Sequence, residues 1–216
     1  MEKTIGRRAR KKIQSRQAIL EAAAREFRDR GFRETSVANI MNAADLGVGT
    51  FYNYFDSKEE ILVCLLGRLV EEVDHALDAG RDARCSSLEL LETGCMVTAK
   101  FLDENRFVLP LFLSAAERSA LPEGEKKGMA GITPGFKTVF EDILRQGQGT
   151  GEVRKDVPAE LIAEMFHSIY QAAAFSKLEL SFQENVRLKT RLLLDGIRTV
   201  GAGKQEVNGE RAVLDD

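Results

Sequence analysis

The chain has 216 residues, of which 44% are hydrophobic and 30% charged, and its formal net charge is −3. This composition is typical of a globular protein, and the absence of an apolar run near the roughly 18 residues of a membrane span, or of a secretory signal core, predicts a cytoplasmic protein with no membrane partner. The three cysteines form no Cys-x-x-Cys pair and have no nearby histidine, which argues against a zinc site, and we interpret them as reduced thiols.

Positive charge is concentrated at the N-terminus. Residues 1–60 carry twelve Lys and Arg against nine Asp and Glu, so the remainder is acidic. Seven basic residues face only Glu2 within the first sixteen positions, and such an arm is attracted to phosphate backbones. Taken alone, a basic run is more often a solvated tail. The downstream segment over 35–60 favours a DNA contact instead, for which we select Arg8, Arg10 and Lys11.

Helical periodicity starts close behind this arm. Apolar residues recur at helix spacing over 19–27, and Gly31 is typical of the position just past the end of a helix. Ser36, with Asn39 three residues later, resembles a capping box at the start of a second helix. Two helices are therefore predicted, over 12–30 and 36–43.

A long helix is predicted from Lys58, because Ser57-Lys58-Glu59-Glu60 forms a full capping box. Its apolar stripe ends before Gly80 and should join two units of the protein. The stripe comprises Ile61, Leu62, Leu65, Leu66, Leu69, Val73 and Leu77.

The rest of the chain is also helical in pattern. Ser86 to Glu89 is a capping signal, and Pro158 stands where a first helical residue would. A polar segment over 147–156 predicts a loop, and the residues after 200 form a polar tail. The predicted helices span 86–105, 107–120, 123–148 with an interruption at 131–134, 158–181 and 184–200.

The segment 35–60 is the most informative, because a short helix, a tight turn and another short helix are compressed into it. At about 100° per residue, Phe51 and Phe55 share one face, which would pack, while the other side is offered outward. With Phe27, Phe32, Val37 and Ile40, the two phenylalanines would fill the small core of a three-helix unit.

This segment resembles the DNA-binding signature of the TetR family. The resemblance rests on Gly31-Phe32-Arg33-Glu34-Thr35-Ser36-Val37-Ala38-Asn39-Ile40 and on Ala43-Ala44-Asp45-Leu46-Gly47-Val48-Gly49-Thr50-Phe51-Tyr52-Asn53-Tyr54-Phe55-Asp56-Ser57-Lys58-Glu59-Glu60-Ile61-Leu62. The Gly-Thr-Phe-Tyr-x-Tyr-Phe-x-Ser-Lys-Glu core is highly specific. The resemblance implies an all-helical homodimer that binds a double-stranded DNA operator, usually as a repressor, and is released by a small-molecule effector.

The resemblance also implies which residues meet DNA. The helix from Ser36 would support a recognition helix from Gly47 to Tyr54, which enters the major groove. Val48, Gly49 and Asn53 would lie nearest the bases, and Thr50, Tyr52 and Tyr54 would touch phosphates or base edges. Lys58 matches a position that contacts phosphate, and both Ser36 and Lys58 lie at helix N-termini, which favour anions.

Two residues depart from the family pattern. Asp45 occupies the turn where the family usually has glycine, and Asp tolerates the left-handed conformation better than most residues. Gly47 replaces the usual serine N-cap of the recognition helix, which removes a hydroxyl that could reach phosphate.

The C-terminal helices carry the candidate effector site. Pockets lined by aromatic side chains between helices are common ligand sites. Most aromatic residues of the C-terminal helices must nevertheless simply form the core. The residues selected for a cavity are Cys64, Met96, Phe101, Phe112, Phe136, Phe140, Phe166 and Tyr170. His75 and His167 are isolated histidines, to which we assign no chemistry.

The last two helices carry apolar stripes, from Leu161 to Ala174 and from Val186 to Val200. These stripes either pack within the chain or, as the resemblance implies, form a dimer interface.

The predicted architecture is all-α, with a helix-turn-helix domain over 1–57, a larger ligand-binding and dimerisation domain over 58–203 and a flexible tail over 204–216. Two alternatives remain at this point: a DNA-binding regulator that senses no small molecule, and a helical enzyme. No nucleophile and base pair, phosphate loop or metal-ligand spacing supports an enzyme, and we predict no catalytic residue and no cofactor.

Overall fold

A computed structural model describes residues 6–113 and 136–199, and helices dominate both ranges, which confirms the predicted all-α class. Extended pairing among these residues is limited to one isolated antiparallel bridge between Val153 and Arg198. Residues 109–113 are also helical. The helices are α1 (Arg7–Arg30), α2 (Val37–Ala43), a 3₁₀ helix (Val48–Asn53), α3 (Lys58–Asp82), α4 (Ser87–Glu104), a 3₁₀ turn (Arg106–Val108), α5 (Phe136–Thr150), α6 (Ala159–Ala174) and α7 (Phe182–Ile197).

The first three helical elements and the start of α3 form a small N-terminal unit. Phe27, Ile40, Phe51 and Phe55 are buried in its core, and Phe32 packs edge-on against Phe27 with ring centroids 5.0 Å apart. The phenylalanine core predicted from the helical periodicity is therefore confirmed.

Side-chain caps fix the helix starts that the sequence indicates. The Ser36 hydroxyl accepts from the backbone N–H of Asn39, and the Asn39 side-chain oxygen accepts from the backbone N–H of Ser36. These two bonds complete the box at α2. A second complete box joins Ser86 and Glu89 at α4. At α3 only half of the predicted box forms, because the Glu60 carboxylate accepts from the backbone N–H of Asp56 instead of that of Ser57.

The long helix α3 connects the N-terminal unit to the remaining helices. Its start packs on α1 and its length packs on α4. All seven residues of the predicted stripe, Ile61, Leu62, Leu65, Leu66, Leu69, Val73 and Leu77, are buried. One continuous helix therefore takes part in the cores of both units.

The C-terminal helices pack around α4, which contacts α3, α5 and α7, while α6 packs on α5 and α7. The loop after α5 ties distant ends of this unit together. The Glu152 carboxylate accepts from the Ser87 N–H at the start of α4, at 2.7 Å, and the Arg154 N–H donates to the Ile197 carbonyl at the end of α7, at 2.9 Å.

Several predicted boundaries were wrong, among them the end of α7, which lies at Ile197 instead of Val200. Helix α1 begins at Arg7 instead of near residue 12, so most of the basic run forms the start of this helix. Helix α5 extends to Thr150, into the predicted loop. Helix α6 ends at Ala174 instead of Ser181, because Ser181 is the N-cap of α7 and accepts from the Glu184 N–H.

Parts of the helices predicted over 107–120 and 123–148, with the interruption at 131–134, lie outside the described residues, as does the tail. Within the described ranges, no helix is both long enough and apolar enough to cross a membrane.

Candidate nucleic-acid interface

The predicted recognition helix is a 3₁₀ helix, Val48–Asn53. Its hydrogen bonds include the i to i+3 pair from the Thr50 N–H to the Gly47 carbonyl, at 2.9 Å. Gly47 supplies no side-chain cap, and Thr50 turns its hydroxyl back to the same Gly47 carbonyl, at 2.7 Å. A tighter helical turn stretches the segment along its axis relative to an α-helix, because each residue rises about 2.0 Å.

One aromatic side chain of this helix is buried, and the next one along the chain is exposed to solvent. Phe51 is fully buried, while the adjacent Tyr52 is 70% exposed, and their rings are perpendicular with centroids 5.3 Å apart. Tyr54 is half-buried. The predicted contact residues Gly47, Val48, Gly49, Thr50, Tyr52 and Asn53 are all exposed on one short segment.

The turn before this helix depends on Asp45, whose φ of 54° lies in the left-handed region. This confirms the conformation expected where a glycine is usual. The turn closes with a 2.9 Å bond from the Leu46 N–H to the Met41 carbonyl at the end of α2. The Asp45 side chain is exposed, so a negative charge stands beside the candidate interface.

The N-terminus of α2 stands exposed with Ser36 at its cap. The Ser36 hydroxyl also donates to the Asn39 amide oxygen at 2.5 Å, so both its donor and its acceptor functions serve the cap. Ser36 therefore organises the helix that supports the 3₁₀ helix.

A basic extension, defined as Arg7, Arg8, Arg10, Lys11 and Lys12, forms the first turns of α1. All five side chains are exposed, and the first turn holds no acidic residue. Positive charges at a helix N-terminus oppose the helix dipole. A polyanion would offset this repulsion, which fits the predicted DNA contacts of Arg8, Arg10 and Lys11.

Lys58 is placed differently from the other predicted contact residues. Its ammonium points into the turn between α1 and α2, where it donates to the carbonyls of Phe32, Arg33 and Thr35. The resemblance suggested a phosphate contact at this position.

In the C-terminal unit, several predicted effector-site residues form aromatic contacts with one another or with His167. Phe112 stacks on His167 at 5.0 Å and meets Tyr170 edge-on at 5.3 Å, while Phe140 lies 5.5 Å from Phe166. Burial lowers the pKa of His167, and its Nε2 is buried without a hydrogen-bond partner. Neutral imidazole is therefore favoured in this apolar cluster.

Tyr170 extends this cluster to α4, since its hydroxyl donates to the Cys95 carbonyl at 3.4 Å. Burial raises the pKa of the Cys95 thiol to about 12 and also raises the pKa of Tyr170. Both groups stay protonated at neutral pH and act here as packing residues.

The other residues selected for an effector cavity make none of these aromatic contacts, although Phe101 belongs to the same hydrophobic core. Cys64 faces α1, where it accepts a bond from the Arg16 guanidinium at 3.0 Å. Phe101 is buried, Met96 is half-buried, and the side chain of Phe136 lies outside the described residues. Neither of two cavities that are lined by described residues includes any of the eight residues selected.

The larger of these cavities is a crevice of about 1090 Å³ between the N-terminal unit and the 3₁₀ turn Arg106–Val108. Phe27 and Phe107 meet in it at 5.4 Å. The Arg28 guanidinium crosses between the units and donates to the Glu104 carbonyl at 3.1 Å and to the Asn105 side-chain oxygen at 3.3 Å. The sequence did not predict this contact, because no local pattern signals a bond between residues 76 positions apart.

The second cavity is a groove of about 560 Å³ between α6 and α7, on an apolar face that no described element covers. We define the α6–α7 face as Leu161, Met165, Leu188 and Leu192, whose exposed fractions are 49%, 49%, 41% and 73%. Exposed apolar patches of this kind mark interaction surfaces.

Comparisons with known proteins agree with this geometry. A family model described as "Bacterial regulatory proteins, tetR family" matches residues 19–64, from the middle of α1 to the start of α3. The HTH-type transcriptional repressor DhaR of Mycobacterium sp. (strain GP1) is 25% identical over 159 residues, which cover 73% of this chain and 79% of DhaR. The repressor KstR2 of Rhodococcus jostii (strain RHA1) is 28% identical over 150 residues, covering 68% and 71%.

Two solved structures extend the similarity to the whole fold. FadR of Thermus thermophilus, a TetR-family transcriptional repressor in complex with lauroyl-CoA, is 28% identical with a TM-score of 0.55, over 88% of this chain and 98% of FadR. A TetR/AcrR-family regulator from Thermobifida fusca YX-ER1 has a TM-score of 0.64 at 23% identity, over 86% and 99%. The second likeness concerns the fold alone.

Proposed function

Because the chain belongs to the TetR family of bacterial regulatory proteins, we propose that it is a cytoplasmic transcriptional repressor that binds a palindromic operator as a homodimer and leaves it when a small molecule binds. The observation that carries the DNA-binding part is the pair of neighbouring aromatic residues in the 3₁₀ helix. Buried Phe51 fixes the backbone of this helix, and exposed Tyr52 projects from it. A rigid, outward face on a short helix is what readout in a major groove requires.

The α6–α7 face supports the homodimer. Four large apolar side chains are exposed there beside a groove, and a second copy related by a two-fold axis would cover them with the same face. The same symmetry would present two recognition helices to successive major grooves, about 34–36 Å apart or a multiple of it. The operator is therefore expected to be palindromic.

The first prediction concerns DNA contact by Tyr52. Selection from a library of random duplexes should recover a palindrome, and Tyr52→Ala should weaken binding to it by about tenfold or more, as the loss of one direct contact per half-site does. Its unfolding midpoint should not change, because the side chain is 70% exposed. Fluorescence anisotropy with labelled duplex measures the affinity.

Leu178→Ala is the matched control, since Leu178 is 64% exposed in the loop between α6 and α7. We expect the control to bind the duplex like the parent protein. Equal binding by the Tyr52 variant and the parent would show that the contact face is wrong.

The second prediction concerns release by an effector. Lauroyl-CoA is the first probe, because FadR of Thermus thermophilus binds it. A releasing ligand must bind the DNA-free arrangement more tightly, and DNA must weaken ligand binding by the same factor. We expect a coupling factor of about 5–150, the usual range for a coupled pair of sites.

Calorimetric titration with and without operator measures both affinities, and coenzyme A without an acyl chain is the control. If lauroyl-CoA binds with the same affinity in both solutions, it is not a releasing ligand. A protein that binds its operator but responds to no acyl-CoA of any chain length would fit the alternative of a regulator without such a ligand.

A further inference from the structure

The ammonium of Lys58, the first residue of α3, is surrounded by backbone carbonyls. Nζ lies 2.8 Å from the Phe32 oxygen, 3.0 Å from the Thr35 oxygen and 3.3 Å from the Arg33 oxygen. Nζ also stands 4.5 Å from the centre of the Phe32 ring. Four groups of one short turn therefore converge on a single positive charge.

This arrangement uses the full donor capacity of lysine. An ammonium has three N–H donors and no acceptor, and three carbonyls accept here. The negative face of the Phe32 ring adds a cation–π attraction. No donor is left for a phosphate unless a bond to the turn is broken, and hydrogen bonds to a charged group are among the stronger ones.

The turn that Lys58 binds fixes the start of α2. Thr35 is 1% exposed, and its hydroxyl is within reach of the Glu26 and Gly31 carbonyls, at 3.1 and 2.8 Å, which holds the turn to the end of α1. The next residue, Ser36, caps α2, and α2 contacts the 3₁₀ helix. Lys58 thus ties α3 to the segment on which the recognition helix depends.

We propose that Lys58 is a positioning residue, which joins α3 to the turn between α1 and α2 and thereby orients the recognition helix, and that it is not a phosphate contact. The role in DNA binding rests on the proposed function, whereas the placement of the ammonium does not. The experiment therefore has one arm without DNA and one arm with it.

The first arm measures the reactivity of individual lysines in the free, full-length protein. Labelling uses an amine-reactive ester and is followed by mass spectrometry. The ester should modify Lys58 more slowly than exposed Lys155 and Lys177, by about tenfold or more, because the bonds from Lys58 to the turn must open first. Comparable rates at all three lysines would overturn the proposal.

The second arm measures the affinity of Lys58→Met for the selected operator and for unrelated duplex. This substitution keeps most of the length of the side chain and removes its charge. At a temperature where circular dichroism shows the variant folded, the ratio of specific to non-specific affinity should fall by about tenfold, as for a displaced base-reading helix. The slope of log affinity against log salt should equal that of the parent. Lys58→Arg, which keeps a cation at the turn, should restore part of the ratio.

Lys11→Met is the matched control, since Lys11 belongs to the exposed basic extension. This substitution should lower the slope of log affinity against log salt. A slope lowered by about 0.9 per protomer in Lys58→Met would identify a phosphate contact and overturn the proposal. A lower unfolding midpoint with an unchanged affinity ratio would show a merely structural lysine and would also overturn it. If the parent binds no duplex at all, the proposed function fails, and the labelling arm still decides where the ammonium lies.

Discussion

Replacing Phe51 with alanine should destabilise the N-terminal unit by about 3–5 kcal/mol, the usual cost of removing a buried phenylalanine side chain, and should abolish operator binding. Phe51 is fully buried, and its ring lies 6.0 Å from that of Phe55, over which the Arg16 guanidinium stands at 4.6 Å. The side chains around Phe51 are themselves held in the core, so they can close only part of the cavity that the ring leaves.

Urea unfolding monitored by circular dichroism measures the loss, and anisotropy measures DNA binding. Tyr52→Ala is the control, because it removes a similar ring from the exposed side of the same 3₁₀ helix and should leave the free energy of unfolding unchanged. A Phe51→Ala protein as stable as the parent would contradict the assigned core.

A glutamate in place of Leu192 should convert the proposed dimer to a monomer at micromolar concentration. Leu192 is 73% exposed in the single chain and borders the groove of the α6–α7 face, so the variant should fold normally. In a dimer the new carboxylate would be desolvated opposite an apolar surface, which costs several kcal/mol, or about 100-fold or more in association. Operator affinity should fall as well, because a monomer reaches only one half-site.

Sedimentation at several concentrations measures the mass against the 24.0 kDa of one chain. Ile13→Glu is the control for association, since Ile13 is 58% exposed on α1, away from α6 and α7. A parent protein that sediments as a monomer would refute the dimer, and a dimeric Leu192→Glu protein would place the interface elsewhere.

The sequence predicted the features that depend on local backbone periodicity. The buried stripe of α3 and the caps at Ser36 and Ser86 follow from residue type and spacing, whereas the left-handed turn at Asp45 is expected from the family pattern, which has glycine there. The family signature, in turn, identified the exposed segment from Gly47 to Asn53.

The features that the sequence could not predict depend on where long side chains end. The Lys58 ammonium and the Arg28 guanidinium each select among carbonyls that become neighbours only after folding. The same holds for the aromatic residues, since periodicity marks Phe112 and Tyr170 as apolar without showing that their rings touch. Local pattern determines which face a residue occupies, whereas tertiary packing determines its partner.

The Arg28 contact has a consequence for how the two units can move. The N-terminal unit is attached both through α3, by covalent continuity, and through α1, whose Arg28 and Phe27 meet the end of α4 and Phe107. Two attachments at separate points form a closed ring, in which rotation at one point requires sliding at the other. Because packed helices slide in small steps between discrete arrangements, the crevice at this second attachment should have a small number of stable widths, and the spacing of the recognition helices should change in steps with it.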